Sequence, residues 1–460
     1  MPPIARARLA SAASRAPRGL RLPALPAYCQ KSLVQGWTKP RARGTSGRRS
    51  EERASLLRVR AKTADDVAPS TPDVFTEDLL RCCEPGASLR VAVLLSGGVD
   101  SSVALALLRA AGHQAKAYYL QIWFQEDFAN TWAACPWEAE LGEASAVCRQ
   151  LGVPLEPLPL SKEYWSLVVD RCLKGVRRGH TPNPDVLCNS AIKFGAFAEA
   201  LTSRGESVDR IATGHYARVE RRRGLEALTA ESDSRRTHET SLHLSADPVK
   251  DQTYFLAGLS PQQLALCSFP LGALDKPAVR SLAASLRLPN AARKDSQGLC
   301  FLGRVPYAEF LSRHLGSREG PIREWGSGRE LGRHRGAWAF TRGQRKGLRL
   351  AGGPWYVVQT DVGRSNAVWV SNDYYGPAAA EGRREFACSR LAWLRAGPDS
   401  SLPLSCKVRH GPQVHECRLE QTGLGRGRVV LGGSDQGLSP GQYVVFYQGD
   451  ECLGCGVIEE

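Results

Sequence analysis

The chain has 460 residues, 42% hydrophobic and 23% charged, with 10 Trp, 12 Tyr and 12 Phe; that is apolar surface enough for two or three packed cores, which excludes a wholly disordered chain and a single small domain. The formal charge of +15 is concentrated at the start, where residues 1–50 hold 11 Lys or Arg and no Asp or Glu; the remaining 410 residues carry only +4, so whole-chain basicity is poor evidence for a nucleic-acid partner. No stretch approaches the roughly 20 apolar residues of a membrane-spanning helix, and 14 Cys in 460 residues are too few for a disulfide-dense scaffold, so the thiols are expected to be reduced and available for chemistry.

Residues 1–50 are rich in Arg, Ala, Ser and Pro without a central apolar run. They read as an organelle-targeting segment, for a mitochondrion or a chloroplast with the mitochondrion slightly preferred, and residues 1–87 together as targeting segment and linker. Residues 91–95 (VAVLL) are suited to a strand buried on both faces. Ser96-Gly97-Gly98-Val99-Asp100-Ser101-Ser102 follows at once, then VALALLRA, so strand, tight turn and helix succeed one another, the helix ending near Ala111-Gly112. Residues 115–123 predict a second strand and 138–151 a helix stopped by Gly152-Val153-Pro154. Two further helices are expected at 163–173 and 192–201, and a strand at 209–219 that exposes Gly214 and His215. This alternation over residues 88–258 predicts an open, mostly parallel α/β sheet. Residues 221–246, polar and charged, read as an insertion loop or a hairpin. Residues 259–325 read as a small, mainly helical central domain, and residues 326–460 as a β-barrel-like domain, from short apolar segments separated by Gly, Asp, Asn and Pro.

The loop from Leu94 and Leu95 through Ser96, Gly97, Gly98, Val99, Asp100 and Ser101 compresses glycine backbone, two hydroxyls and a carboxylate between a strand and a helix start. Backbone N–H groups there can receive a pyrophosphate, Ser96 and Ser101 can add hydrogen bonds, and Asp100 can hold Mg2+ directly or indirectly. Neither GxGxxG nor GxxxxGKS is present, which argues against dinucleotide binding and P-loop phosphoryl transfer. The loop resembles that of the ATP-pyrophosphatase, or PP-loop, superfamily. That likeness implies cleavage of ATP between its α and β phosphates to adenylate an acceptor, and leaves the acceptor open.

In Thr181-Pro182-Asn183-Pro184-Asp185-Val186-Leu187-Cys188-Asn189 two prolines shape a loop that presents Asn183 and Asp185, with Cys188 held nearby; Lys193 follows on a predicted helix, where it can stabilise a thiolate or a phosphate. In Arg293-Lys294-Asp295-Ser296-Gln297-Gly298-Leu299-Cys300 two basic residues can lower a thiol pKa, and Gly298 permits close substrate approach. Each cysteine taken alone is also explained as a buried structural thiol. Beside adenylate chemistry, one thiol can carry a terminal sulfur atom while the other resolves the sulfur–sulfur bond by exchange.

LSGGVDSS, TPNPDVLCN, ATGHYAR, KDQTYFL, FPLG, KDSQGLCF, FTRGQRKGL and GQYVVFY, in this order from Val91 to the C-terminus, resemble the tRNA-specific 2-thiouridylase family. The resemblance implies an α/β fold with a PP-loop, adenine nucleotide alpha hydrolase-like parallel-sheet domain ahead of the helical and barrel domains. It also implies that ATP, with Mg2+, activates the C2 oxygen of wobble uridine 34 for replacement by persulfide-derived sulfur. Cys300 is then the persulfide-bearing thiol, Cys188 the thiol that completes sulfur release by disulfide formation, and Asp185 the group that assists proton transfer at the base. By the same likeness Leu120, Gly214 and the loop from Leu94 to Ser101 bind ATP, and Asn183, Pro184 and Asp185 surround the base. His215, Lys250, Asp251, Gln252, Arg409, His410 and Gln442 contact tRNA or position the base, since Lys and Arg neutralise phosphate and Gln reads base edges. The implied partners are the anticodon region of tRNA and a persulfide donor such as a cysteine desulfurase or a rhodanese-type relay, with the enzyme a monomer. Gln121, His180 and Gln297 depart from the Lys, Arg and Thr common at these positions in the family.

Cys452 and Cys455 form a CxxC without the second pair that zinc needs, and no metal-ligand set is expected. The basic turn at 341–347 reads equally as an RNA contact and as a charged hairpin between domains. Two other functions remain open. Another PP-loop amidotransferase or ligase needs an amine-delivery route and no essential persulfide thiol; an inactive tRNA-binding protein is disfavoured by retention of both Cys188 and Cys300.

Overall fold

The computed structural model describes residues 75–122, 136–223, 238–295, 307–373, 383–435 and 437–459. The targeting segment, Gln297, Gly298 and Cys300 lie outside the described residues. Five parallel strands stand in the order β3-β2-β1-β4-β7: β1 Arg90–Leu94, β2 Gln114–Gln121, β3 Leu155–Pro159, β4 Arg210–Ala212 and β7 Cys267–Ser268. β1 takes the centre because both its faces are apolar: Val91 is 2% exposed and Ala92 and Val93 are 0%. From β1 the chain winds outward through β2 to β3 and returns on the other side at β4, so the C-terminal ends of β1 and β4 flank the point where winding reverses. Open α/β sheets bind ligands there.

Helix Val99–Ala110 leaves β1 through the glycine loop, and its residues from Ser101 to Leu108 are buried. Gly112, with φ +86, reverses the chain after it. The predicted helices at 163–173 and 192–201 prove longer. Ser161–Tyr164, Trp165–Val169 and Asp170–Arg177 run on from one another, as do Pro184–Leu187, Cys188–Ala196 and Phe197–Ser203, and the middle piece of each is wound in the wider π geometry. The residues read as the start of a helical central domain add β7 to the sheet, with Ile211 aligned to Cys267, and helix Lys276–Ser285, whose Val279, Leu282 and Ala283 join the core of Val103, Leu105 and Leu107. A two-residue strand is too short to show a period.

The polar stretch after residue 221 includes parts of a hairpin in which β5 Arg218–Arg223 pairs antiparallel with β6 His238–His243; residues 224–237 lie outside the described residues. The β-rich remainder divides in two. β8 Gly320–Glu324, β9 Glu330–His334, β10 Tyr356–Asp361 and β11 Ala367–Ser371 form a sheet in the order β10-β11-β8-β9 over Ile322, Trp355, Val357 and Val368. β12 Glu385–Trp393, β13 Ser405–Lys407, β14 His415–Gly423, β15 Arg426–Leu431, β16 Tyr443–Gln448 and β17 Glu451–Ile458 close into an antiparallel barrel through pairing of β12 with β17. Cys452 and Cys455 are both buried within β17.

β17 also pairs with β6, so the N-terminal half of the chain extends the barrel's sheet. Beneath that seam one core runs from Ile192, Phe194 and Phe197 through Tyr254 to Val445, Tyr447 and Cys452. Among the described residues no helix is long and apolar enough to cross a membrane.

Leu105 is 0% exposed between the sheet and the helices that cover it. Leu105→Ala is expected to cost about 2–5 kcal/mol through lost burial and a residual cavity, read as a lowered urea midpoint.

Candidate active site

Gly97 has φ +74, and a Cβ on it would lie 2.4 Å from the Glu140 carbonyl oxygen, so glycine is required both for the turn and for the approach. Ser101 Oγ donates to the Gly98 carbonyl at 3.1 Å and accepts from the Ser96 N–H at 3.3 Å, while Ser102 Oγ donates to the same carbonyl at 2.9 Å. These bonds hold the loop so that the first-turn N–H groups of helix Val99–Ala110, which have no acceptor within a helix, are presented at its start. Asn290 Nδ2 donates to the Gly97 carbonyl at 2.8 Å and to Ser102 Oγ at 2.9 Å, and Arg293 donates to the Gly97 carbonyl at 3.1 Å. Leu94 and Leu95 are buried, and Leu120 is half-buried near the end of β2. Gly214, just past β4, approaches so closely that a Cβ would sit 2.6 Å from the Ser101 nitrogen. The likeness assigns Gly214 together with the loop from Leu94 to Ser101 to ATP, and the fold sets Gly214 against Ser101.

Asp100 is more heavily engaged than a lone Mg2+ ligand. Its Oδ1 accepts from Tyr216 OH at 2.9 Å and from Lys276 Nζ at 2.6 Å. Tyr216 lay within the ATGHYAR segment, so a signal for it existed, and burial followed by the charge of Asp100 pushes its phenol far up, keeping it a donor. Lys276 and Asn290 gave no local signal. The loop fits a polyphosphate, which takes N–H donors at a helix start, and Asp100 fits a Mg2+ bound mainly through the phosphates, since such ions need one or two carboxylates from the protein.

On the other side Asn183 caps the helix that begins at Pro184: its side-chain oxygen accepts from the N–H groups of Asp185 at 3.1 Å and Val186 at 3.2 Å. Asp185 and Cys188 therefore sit in consecutive turns, and Cys188 is buried where the π winding starts. Burial raises the Asp185 carboxyl above its ordinary pKa, opposed by the charges of Lys193 and His410. Lys193 Nζ is 3.5 Å from His215 Nε2, and His215 Nδ1 is 2.7 Å from Thr213 Oγ1. Burial, then Lys193, drives the His215 pKa well below 6.5, so it is neutral at pH 7. The path from Ser101 through Gly214 and His215 to Lys193 thus joins the nucleotide loop to the helix of Asp185 and Cys188. Burial and then the nearby Asp185 charge push the Cys172 thiol up to about 12, leaving it unreactive.

The remaining residues assigned to tRNA are distributed unevenly. His410 stacks on Phe255 at 4.5 Å between ring centroids and reaches the Asp185 region from the barrel. The Gln442 side-chain oxygen lies 3.5 Å from Tyr254 OH. Lys250 is half-exposed and paired with Asp295 at 2.9 Å. Asp251 is buried, accepting from the Ser245 N–H at 3.1 Å and Thr253 Oγ1 at 2.7 Å, so its carboxylate is committed inside the protein. The Gln252 side chain accepts from the Tyr216 N–H at 3.0 Å. Arg409 is paired with the buried Asp435, which His415 also meets at 3.2 Å. Gln121 turns its carbonyl to the Leu160 N–H at 3.0 Å. His180 lines a cleft with Tyr307, Trp338 and Phe340.

A glycine loop at the winding reversal of a parallel α/β sheet, followed by two β modules, defines an α/β nucleotide-binding protein built in three parts. Three family models match in the same order: tRNA methyl transferase HUP domain over residues 89–304, tRNA methyl transferase PRC-barrel domain over 308–372 and aminomethyltransferase beta-barrel domain over 383–458. The tRNA-specific 2-thiouridylase MnmA of Porphyromonas gingivalis is 40% identical over 379 residues, 80% of this chain and 98% of that protein. Its counterpart in Parabacteroides distasonis is 40% identical over 376 residues, 80% of this chain and 99% of that protein. A solved 4-thiouridine synthetase–RNA complex with bound ATP gives a TM-score of 0.26 at 16% identity, over 48% of this chain and 47% of that one, too distant a likeness to carry an argument. The chain belongs to the tRNA-specific 2-thiouridylase family.

Gly214→Ala is expected to weaken ATP binding about tenfold or more, because the new methyl meets backbone that must move; titration calorimetry reads the change. His215 carries an acid-sensitive share of stability. Its folded pKa is depressed, so this stability is fully present above 6.5 and is lost as pH falls below that value, by up to about 1.4 kcal/mol per pH unit. The urea midpoint should fall less between pH 7 and 5.5 in His215→Gln than in the unsubstituted protein.

Proposed function

We propose that this chain is an ATP-dependent tRNA 2-sulfurtransferase acting on wobble uridine. The observation that carries the reading is the seating of Asp185 and Cys188 on one helix, joined through Lys193, His215 and Gly214 to a glycine loop suited to polyphosphate. The relatives' name supplies the acceptor. The nucleotide loop binds ATP, and the C2 oxygen of uridine 34 attacks the α phosphorus, releasing pyrophosphate. An oxygen so adenylated is a leaving group, which a free carbonyl oxygen is not. The terminal sulfur of a persulfide on Cys300 adds at C2 and expels AMP, leaving sulfur bonded both to the base and to Cys300. The Cys188 thiolate then attacks the Cys300 sulfur, forming a Cys188–Cys300 disulfide and releasing 2-thiouridine; two external thiols, leaving as their own disulfide, supply the two electrons that restore both cysteines.

Asp185, whose pKa burial raises above its ordinary value, is assigned the proton transfer at the base, which must leave its stack to reach it. Mg2+ would offset charge on the phosphates, with Asp100 as its protein ligand. Asn183 and Pro184 line the base site, and His215, His410 and Gln442 position it. Lys250, Gln252 and Arg409 sit on the RNA-facing side, and Asp251 supports that surface from within. The sulfur donor is a cysteine desulfurase or a rhodanese-type relay, the enzyme acts as a monomer, and the Arg-rich start directs it to an organelle, the mitochondrion in preference to the chloroplast.

The test is transfer of labelled sulfur from a persulfide donor to purified tRNA with ATP and Mg2+, the modified base being located by mass spectrometry. Label is expected at C2 of uridine 34, absent with Cys188→Ser and with Cys300→Ser. Binding of tRNA and turnover of ATP with no sulfur incorporated would instead assign the chain another acceptor.

A further inference from the structure

Lys276 lies outside every nucleotide and cysteine motif, yet its ammonium is 2.6 Å from Asp100 Oδ1 and 2.9 Å from Asp295 Oδ1, with the side chain only 13% exposed. Two carboxylates from opposite ends of the domain share this one cation. Asp100 stands in the first turn of the nucleotide-loop helix. Asp295 is the last described residue before the stretch of chain that contains Cys300.

The surroundings make the bridge specific. Asp295 is also bound by Lys250 at 2.9 Å and by Arg280, while Tyr216 donates to the same Asp100 oxygen that Lys276 meets. Both lysines are set by one buried carboxylate: Asp247 Oδ1 accepts from the Lys250 N–H and its Oδ2 from the Lys276 N–H, each at 2.9 Å. Asp275 caps the helix that Lys276 opens, accepting from the Ala278 N–H at 2.8 Å. Lys276, Lys250 and Arg280 thus face Asp100, Asp295 and the Asp247 carboxylate, three cations against three anions, so the bridge is balanced in charge beside the loop where polyphosphate is expected. Hydrogen bonds from Lys250 and Lys276 outweigh burial and hold the Asp295 carboxyl well below the usual range, so it stays ionised and available to the bridge.

We propose that Lys276 is a positioning residue that couples the two halves of the reaction: the ammonium that orients Asp100 at the nucleotide loop also anchors Asp295 at the root of the Cys300 segment. The inference rests on the sulfur-transfer reading above. A shared cation fixes relative placement more than it adds stability, because each charge has given up solvent to make the pair, and small misplacements of reacting groups cost rate heavily.

The experiment separates the two steps in full-length protein with tRNA, ATP, Mg2+ and a persulfide donor. Pyrophosphate release reports adenylation, and labelled sulfur in tRNA reports transfer. Asp295→Asn is expected to leave pyrophosphate release within about threefold of the unsubstituted enzyme and to cut sulfur incorporation about 10- to 100-fold. Lys276→Met should slow both steps and Lys276→Arg should restore both in part. The Lys276→Met, Asp295→Asn pair should incorporate sulfur no more slowly than Lys276→Met alone. Should Lys276→Met fail to fold, the Arg and Asn variants still decide. Full sulfur transfer by Asp295→Asn, equal loss of both steps in it, or multiplied losses in the pair would overturn the coupling. If the unsubstituted enzyme releases pyrophosphate without thiolating tRNA, the functional reading falls and takes the coupling with it, a result recognised because no substitution is involved.

Discussion

The bare α-carbon of Gly214, packed against the backbone of Ser101, sets the spacing between the end of β4 and the nucleotide-loop helix. β1 and β4 are register-locked, with Val93 opposite Ala212, so the residues just beyond β4 emerge at a fixed height beside the loop. Thr213 and His215 are then tied to each other, His215 reaches Lys193, and Tyr216 reaches Asp100. A methyl group at position 214 would push these contacts away from the loop together. The loop depends on the same economy at Gly97, whose missing side chain lets the Glu140 carbonyl close in.

Between the two halves of the site the protein has removed water rather than added charge. His215 is kept neutral and Asp185 is made reluctant to ionise, both chiefly by burial, while Lys193 keeps its place between them. In a low-dielectric setting a carboxyl that resists ionisation holds a proton more readily than one in water, and a nearby ammonium can balance negative charge that develops. The nucleotide side is built the opposite way, from a network of paired ions. Polyphosphate carries its charge throughout, whereas the base acquires charge only in passing.

Much of this was legible in the sequence where the signal was local. Residues 91–102 announce strand, loop and helix because apolar run, glycines and N-terminal acid follow one another without a gap; the two prolines around Asn183 read only as shaping a loop, where the structure starts a capped helix at Pro184. The β texture after residue 326 was equally plain, but alternation tells only that strands exist; it does not say that they divide between a four-stranded sheet and a six-stranded barrel. Tertiary charge pairing left no trace. Asp100 and Lys276 are 176 positions apart, and Lys276 follows an ordinary helix cap. Arg409, assigned to tRNA by likeness, is paired with the buried Asp435 from beyond β15, a partner its own neighbourhood in the sequence does not announce. The π winding at Cys188 has no sequence period of its own, since it is imposed by packing over a single turn or two.

The pairing of β6 with β17 has a bearing on how this architecture could be shortened. A chain ending after β11 would keep every residue of the nucleotide sheet, yet it would strip β6 of one of its two neighbours and bare the backbone at Leu242 and His243 beside the apolar surface that Val445, Tyr447 and Cys452 cover. Such an unpaired edge recruits other chains. The barrel is therefore a structural cover for the N-terminal half of the molecule as much as a module in its own right, and fragments cut at the apparent boundary would be prone to aggregate before they could be assayed.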